Sequence, residues 1–499
     1  MAISFLAVPV FLETTTDAKQ LLFQWVRMYH YGHQIMPTMA IGTFVLHLYT
    51  CYERSKAQKS WAIFGLASAA TIIMLPFTWF VMAPTNNQLF LLESASKTGP
   101  SVAGIAEVKA LVFIQPQYSL LDQWPDTRDQ EGMPIIRAIR TMSSNLPSLR
   151  PQLLEIFQHD LDMTIQNSPK SGGFAEMTLM ATLEYMMVRI NCFFILGIDA
   201  ANDVKLVKSG IAATKEIAII GEAVRVMPSI LAFLVAKLVK GKNLNQRYVR
   251  DTMMRLVDAR RAIKRNALKT LSDPGTVLEA FVDSSPDEWS TSEIVHHLNI
   301  LFTTTTLSLG GVATQFLKDL YYHKTFHLQL IDEIQGSHIM PSTSRTKQTS
   351  LLEGVLMESM RTHCFQATAV HRTAIRPFTF SDGYTVPAGE SVQFYQAGVH
   401  FDEKRYNQPE TFDPTRFQGG LRSVTDVGME WPFWGVGKNS CPGRFYFTYA
   451  IRLLAAYLLT EFDCELKSPV LSNFHVGESS IPSEKVVLLI KRKEQRLLE

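Results

Sequence analysis

Cysteine is scarce. Five in 499 residues (Cys51, Cys192, Cys364, Cys441, Cys464) form an odd set at wide spacings, which offers neither a disulfide framework nor a C-x-x-C zinc site. A charge excess of one sign is missing too: 48 Lys and Arg against 46 Asp and Glu leave a formal net charge of +2, too balanced to point to nucleic acid as a partner. The apolar start "AISFLAVPVFL" lacks a basic flank, the first positive residue being Lys19, which argues against a cleaved secretory signal. No internal repeat and no low-complexity tract interrupts the chain.

Long apolar runs are present, and they lie early. "IMPTMAIGTFVLHLYTC" (35–51) and "WAIFGLASAATIIMLPFTWFVM" (61–82) carry no formal charge, and the second is long enough to span a bilayer with room for tilt. A pair of buried soluble helices is the alternative. Beyond residue 110 the organisation changes. "RPQLLEIFQHDLDMTI" and "EIVHHLNILFTTTTLSLGGVATQFLKDLYYHKTFHLQLIDEI" space their apolar residues as helices do, and the second could cross a whole domain. Strands are few and late: "FTFSDGYTVPAGESVQFY" (378–395) reads as a hairpin turning at Ser381, Asp382 and Gly383, with a second turn from Pro387 to Gly389. The expected fold is mainly α with a small β-sheet. The expected domains are a membrane helical segment over 1–110 and a catalytic domain over 111–499.

One cysteine stands apart. In "WPFWGVGKNSCPGRFYF" (431–447), Cys441 lies inside a cage of glycines with a proline after it. A thiolate that ligates iron needs backbone donors to temper its charge and a loop without side chains between the sulfur and the metal's flat macrocycle. Gly435, Gly437 and Gly443 permit that approach, and a helix reading from "GRFYFTYAIRLLAAYLLTEF" would aim its N-terminal dipole at the sulfur. A buried structural cysteine is the plain alternative. Upstream, "ESMR" sets Glu358 and Arg361 three residues apart on one helical face, and "PETFDPTRF" supplies Arg416. A glutamate accepting from two arginines makes a charge-assisted network that could pin the cysteine loop to the core. Alone, such a pair is most often a surface salt bridge.

In this order, E-x-x-R, P-x-x-F-x-P-x-R-F and G-x-x-x-C-x-G resemble the cytochrome P450 haem-thiolate monooxygenases over roughly residues 112–495. "HRTAIRPFTFSDGYTVPAG" and "GKNSCPGRFYF" are similar to fungal members that serve secondary metabolism. The resemblance implies haem with Cys441 as its axial thiolate, and Glu358, Arg361 and Arg416 as the buried triad. It places Arg372 and Asn439 at haem propionates and Trp434 over the sulfur, where the family commonly has phenylalanine. At Asn439 the family usually has arginine or histidine, so a charge-assisted contact weakens to a neutral one. It also implies electrons from NADPH through cytochrome P450 reductase, a hydrophobic small-molecule substrate, and an endoplasmic reticulum membrane with the haem domain facing the cytosol. The family's distal acid and alcohol would fall on Leu307 and Ser308, so the acid is absent. Ser308, or Thr304 and Thr305 one turn earlier, could orient water and oxygen, or could simply satisfy helix carbonyls.

The first part of the chain has its own resemblance. "LAVPVFLETTTDAKQLLFQWVRMYHYGHQIMPTMAIGTFVLHLY" and "LPFTWFVMAPTNNQL" look like the small anthrone oxygenase-like membrane proteins, over about residues 5–93. The segment is incomplete by that measure, since a fourth helix should follow "PTNNQL", and an anchor is the favoured role. It stands where the haem family carries its opening helix and first strands. Arg54, Lys56 and Lys59 between the two apolar runs would place that loop in the cytosol, whereas a cytosolic reductase requires the haem domain there. Other readings stay open. They are a peroxide-using isomerase or dehydratase of the same fold, a catalytically degenerate haem-binding membrane protein, and a membrane scaffold.

Overall fold

The protein is represented by a computed structural model that describes residues 42–68, 134–144, 146–225, 236, 243–266, 275–336, 350–374, 376–388, 390–418, 422–437, 440–467, 473–476 and 479–494. Its contacts divide the chain into two units, one of residues 1–108, 223–238 and 372–392, the other of 109–222, 239–371 and 393–499.

The larger unit is built mainly of helices that bury an apolar face, and Leu179–Leu196 at its centre is apolar nearly all round. Leu179–Leu196 buries Leu183, Met186, Met187, Ile190 and Phe194, among others, and packs along Thr291–Tyr322. Both helices are long and apolar enough to cross a membrane, yet 72% and 65% of their apolar windows are buried inside the protein, as expected of core helices. Thr291–Tyr322 begins at a capping box, in which Ser290 Oγ accepts Glu293 N–H and the Glu293 side chain accepts Ser290 N–H. It stops at His323, whose φ of −93° and ψ of 62° break the helix. The apolar pattern that runs on to Ile334 is therefore two helices, the second being His327–Gly336.

One four-stranded antiparallel sheet orders Lys170–Ser171, Phe174–Thr178, Val487–Arg492 and Phe462–Leu466 side by side. Two of its strands come early in this unit, which the sequence pattern did not show: "FAEMT" is only five residues long, and its partner lies at the far end of the chain. The expected hairpin forms between Phe378–Thr379 and Thr385–Val386 around Gly383, whose φ of 88° needs glycine. Its expected last arm, Ser391–Tyr395, pairs instead with Thr368–Thr373.

In the smaller unit, helices 42–56 and 62–68 form an antiparallel pair, with Ser68 Oγ donating to Phe44 O at 3.4 Å and Arg54 Nε to Ser60 O at 2.8 Å. Leu46, Ile63 and Leu66 on these helices are 67%, 75% and 72% exposed, a level of apolar exposure that water does not favour. The rest of the two early apolar runs lies outside the described residues, as does, apart from Ala236, the apolar stretch "MPSILAFLVAKLVKGK" (227–242), whose sequence suits either a helix dipping into a bilayer or an ordinary core helix.

Candidate active site

The cysteine loop is built by short-range bonds. Pro432–Trp434 is a turn of 3-10 helix that ends at Gly435 with φ 78°, and Gly437 follows with φ 68°. These two left-handed positions reverse the chain so that Cys441 N–H donates to Trp434 O at 2.7 Å. The helix Arg444–Glu461 starts directly afterwards. Burial pushes the Cys441 thiol up from its ordinary pKa, while the backbone N–H groups of Gly443 and Arg444 and the Arg444 guanidinium pull it down. Burial is the larger effect and leaves the thiol raised; the N-terminus of the helix that begins at Arg444 acts against that rise. A Cβ built on Gly437 or Gly443 meets no heavy atom within 4 Å, so packing closes off neither glycine. Room, backbone donors and a thiol together fit a flat iron macrocycle with a sulfur ligand.

Trp434 packs edge-on to Phe447 at 5.7 Å and donates its indole N–H to Val424 O at 2.5 Å. Asn439 lies outside the described residues. Arg372 is half-buried on Thr368–Thr373 and belongs to the other unit.

Glu358, Arg361 and Arg416 come together. Glu358 accepts from Arg361 Nε and Nη2, both at 2.8 Å, from Arg416 Nε at 3.1 Å and from Asp413 N–H at 2.9 Å. The side chains of Glu358 and Arg361 are 0% exposed and that of Arg416 is 12% exposed, so the network is internal rather than a surface pair. Arg361 also donates to His400 O and Pro409 O, both at 2.7 Å, and Arg416 to Asn407 O and Thr411 O, both at 3.0 Å. The triad therefore organises the backbone of 400–413. Burial, with the Arg361 charge adding to it, pushes the His400 imidazole down to about 4, so this ring is neutral at neutral pH.

Sequence reasoning passed over Gly354, one turn before Glu358. A Cβ there would meet Pro414 O at 2.5 Å, so the glycine lets the helix Leu351–Thr362 touch the Arg416 segment. A glycine inside a helical pattern is the signal that could have revealed it. Gly354→Ala gains about 1 kcal/mol of helix propensity and loses about 1–3 kcal/mol to overpacking. The expected outcome is a lower midpoint of denaturant unfolding; a raised midpoint would mean that the contact gives way.

On Thr291–Tyr322, Thr304 Oγ1 donates to Ile300 O at 2.7 Å, Thr305 Oγ1 to Leu301 O at 2.8 Å, and Ser308 Oγ to Thr304 O at 3.3 Å. Their donor capacity goes to helix carbonyls, while each oxygen can still accept. His296 and His297 stand edge to face at 5.4 Å, and no group of three or more metal-ligating side chains occurs among the described residues.

Residues 134–489 match the family model described as Cytochrome P450. The chain is a cytochrome P450. Solved structures agree in fold. Retinoic acid-bound cyanobacterial CYP120A1 superposes with a TM-score of 0.56 at 16% identity, covering 81% of this chain and 88% of that one. The cytochrome P450DA heme domain gives 0.57 at 12% identity, covering 78% and 84%. Membership makes this P450 a haem-dependent monooxygenase with thiolate ligation. Residues 25–123 match a second model, Anthrone oxygenase, past the residue 93 at which the sequence resemblance ends. Anthrone oxygenase AgnL2 of Paecilomyces divaricatus is 56% identical over 114 residues, 22% of this P450 chain and 70% of its own. Anthrone oxygenase ptaC of Pestalotiopsis fici is 40% identical over 114 residues, 22% and 81% respectively. The N-terminal part of this P450 belongs to that family.

Proposed function

We propose that this P450 oxidises a fused-ring aromatic small molecule, an intermediate of fungal secondary metabolism, at a haem held by Cys441. The observation that carries the substrate class is the joining on one chain of a P450 to a segment 56% identical to an anthrone oxygenase. An anthrone is a flat tricyclic aromatic ketone, so the same compound class is the natural substrate of both parts. Haem supplies the oxygen chemistry when bound.

The chain's own residues divide the remaining work. Cys441 gives the thiolate, which the N–H groups of Gly443 and Arg444 stabilise. Trp434 shields the sulfur, Gly437 leaves room for the macrocycle, and Glu358, Arg361 and Arg416 hold the backbone against which the loop packs. Arg372 and Asn439 are assigned to the propionates. Ser308, with Thr304 and Thr305, holds water on the other face through its acceptor lone pairs. Electrons come from NADPH through cytochrome P450 reductase. The exposed apolar helices 42–56 and 62–68 support an anchoring role for residues 1–110 in the endoplasmic reticulum membrane, with the haem domain of 111–499 on the cytosolic side where the reductase works.

The first experiment is the absorption spectrum of the reduced, carbon monoxide-bound protein, followed by trials of fused-ring aromatic substrates with and without NADPH and reductase. NADPH-dependent product supports the reading. A second reading, rearrangement or dehydration of a peroxide, is favoured by Leu307 in place of an acid and by hydroxyls already engaged with helix carbonyls. Ser308→Ala separates the two. In a monooxygenase it lowers product formed per NADPH consumed and raises the peroxide released. In a peroxide-using enzyme it leaves turnover unchanged, and no NADPH is needed.

A further inference from the structure

We propose that Glu353 is a positioning residue for the cysteine loop, acting through Val424 and the Trp434 indole; this rests on the haem-thiolate reading of Cys441. Glu353 lies in the first turn of Leu351–Thr362, far from Cys441 in sequence, and nothing in the thiolate motif includes it. One carboxylate oxygen accepts Val424 N–H at 2.7 Å and Ser423 Oγ–H at 2.8 Å. The other accepts from Arg452 Nη1 at 3.0 Å.

Val424 is fully buried, and its carbonyl takes both indoles of the loop, Trp434 Nε1 at 2.5 Å and Trp431 Nε1 at 3.3 Å. The next carbonyl, that of Thr425, accepts Arg444 Nε at 2.8 Å, and Arg444 Nη1 donates to Cys441 O at 2.6 Å. Trp434 O in turn receives the Cys441 N–H. The strut 423–425 therefore reaches Cys441 from both sides, by Trp434 before it and Arg444 after it, and Glu353 fixes the strut.

A purely structural role for Glu353 would end with its ion pair to Arg452, which joins the helices Leu351–Thr362 and Arg444–Glu461. The bonds to Ser423 and Val424 add nothing to that packing, because they hold a loop. A charged acceptor on Val424 N–H makes the strongest kind of backbone anchor, and chains of such bonds polarise one another. Phenylalanine at position 434 could shield sulfur but could not donate to Val424, so the relay depends on the tryptophan of this chain.

The test compares the full-length holoprotein with Trp434→Phe, Glu353→Ala, the double variant and Glu353→Gln, which keeps an oxygen for Val424 N–H. The readouts are the haem reduction potential and the share of non-thiolate band in the reduced carbon monoxide spectrum. Trp434→Phe and Glu353→Ala are expected to shift the potential in one direction and to raise that share several-fold. The double variant goes no further than the larger single change, as groups acting in series do, and Glu353→Gln stays near wild type. A wild-type potential and band in either single variant, or additive shifts in the double, would overturn the proposal. Should Glu353→Ala take up no haem, Trp434→Phe and Glu353→Gln decide: a shifted potential in the first with recovered loading in the second supports the relay, and any other result overturns it. A wild-type protein without a thiolate band would overturn the haem-thiolate reading and this proposal with it. A wild-type thiolate band with unresponsive variants sinks the proposal alone.

Discussion

Cys441→Ala is expected to abolish the thiolate-type spectrum and turnover together, because no other thiol in the larger unit can take its place. Burial pushes Cys192, Cys364 and Cys464 each up to about 12; it raises Cys441 as well, but there the Gly443 and Arg444 N–H groups and the Arg444 guanidinium pull against it. Cys364 is also engaged, its thiol lying 2.9 Å from Gln366 O. The substitution should spare the loop itself, since the bond that closes it runs from the Cys441 backbone N–H to Trp434 O and needs no side chain. The variant would then fold, as judged by circular dichroism, and lack only the ligand. A thiolate-type band in folded Cys441→Ala would sink the assignment.

Glu358→Ala carries the second large effect. Its removal strips the acceptor from Arg361 Nε and Nη2, Arg416 Nε and Asp413 N–H at once, and leaves the wholly buried Arg361 charge without its partner. Breaking one side of a buried pair costs about 3–5 kcal/mol. The damage should spread beyond the triad, since both arginines also hold carbonyls between His400 and Thr411. The expected result is a lower unfolding midpoint and poor haem incorporation, read as the ratio of haem to protein after purification. Full haem content in this variant would mean that the triad does not support the site.

Much of this could be read along the chain. Glu358 and Arg361 sit three residues apart, a spacing that only a helix turns into a contact, and the structure makes it a two-bond pair. The helix after Cys441 was legible from "CPG" followed by an apolar run, and it begins at Arg444. The hairpin turn at Gly383 was legible because its backbone conformation favours glycine. Illegible features left no distinctive mark in the residue letters. Phe174–Thr178 is too short to show a pattern, and its longer partner, Val487–Arg492, lies at the far end of the chain. The helix stop at His323 carries no Gly or Pro to mark it. The threonines of "TTTT" offered both oxygen chemistry and helix capping, and only their geometry showed where their protons point.

The sequence by itself determined the kinds of group and their order: one cysteine among glycines, a glutamate and two arginines, apolar runs at the start, and hence the two families joined here. Side-chain chemistry and local spacing are written in residue letters, so these features survive without coordinates. Only the tertiary structure decided what holds the loop in place. Glu353 meets Val424 through a backbone N–H, two tryptophans meet its carbonyl, and Gly354 makes way for Pro414 O. Backbone donors and acceptors are the same at almost every residue, so nothing in the sequence of Val424 distinguishes it; burial and distance alone give it a role.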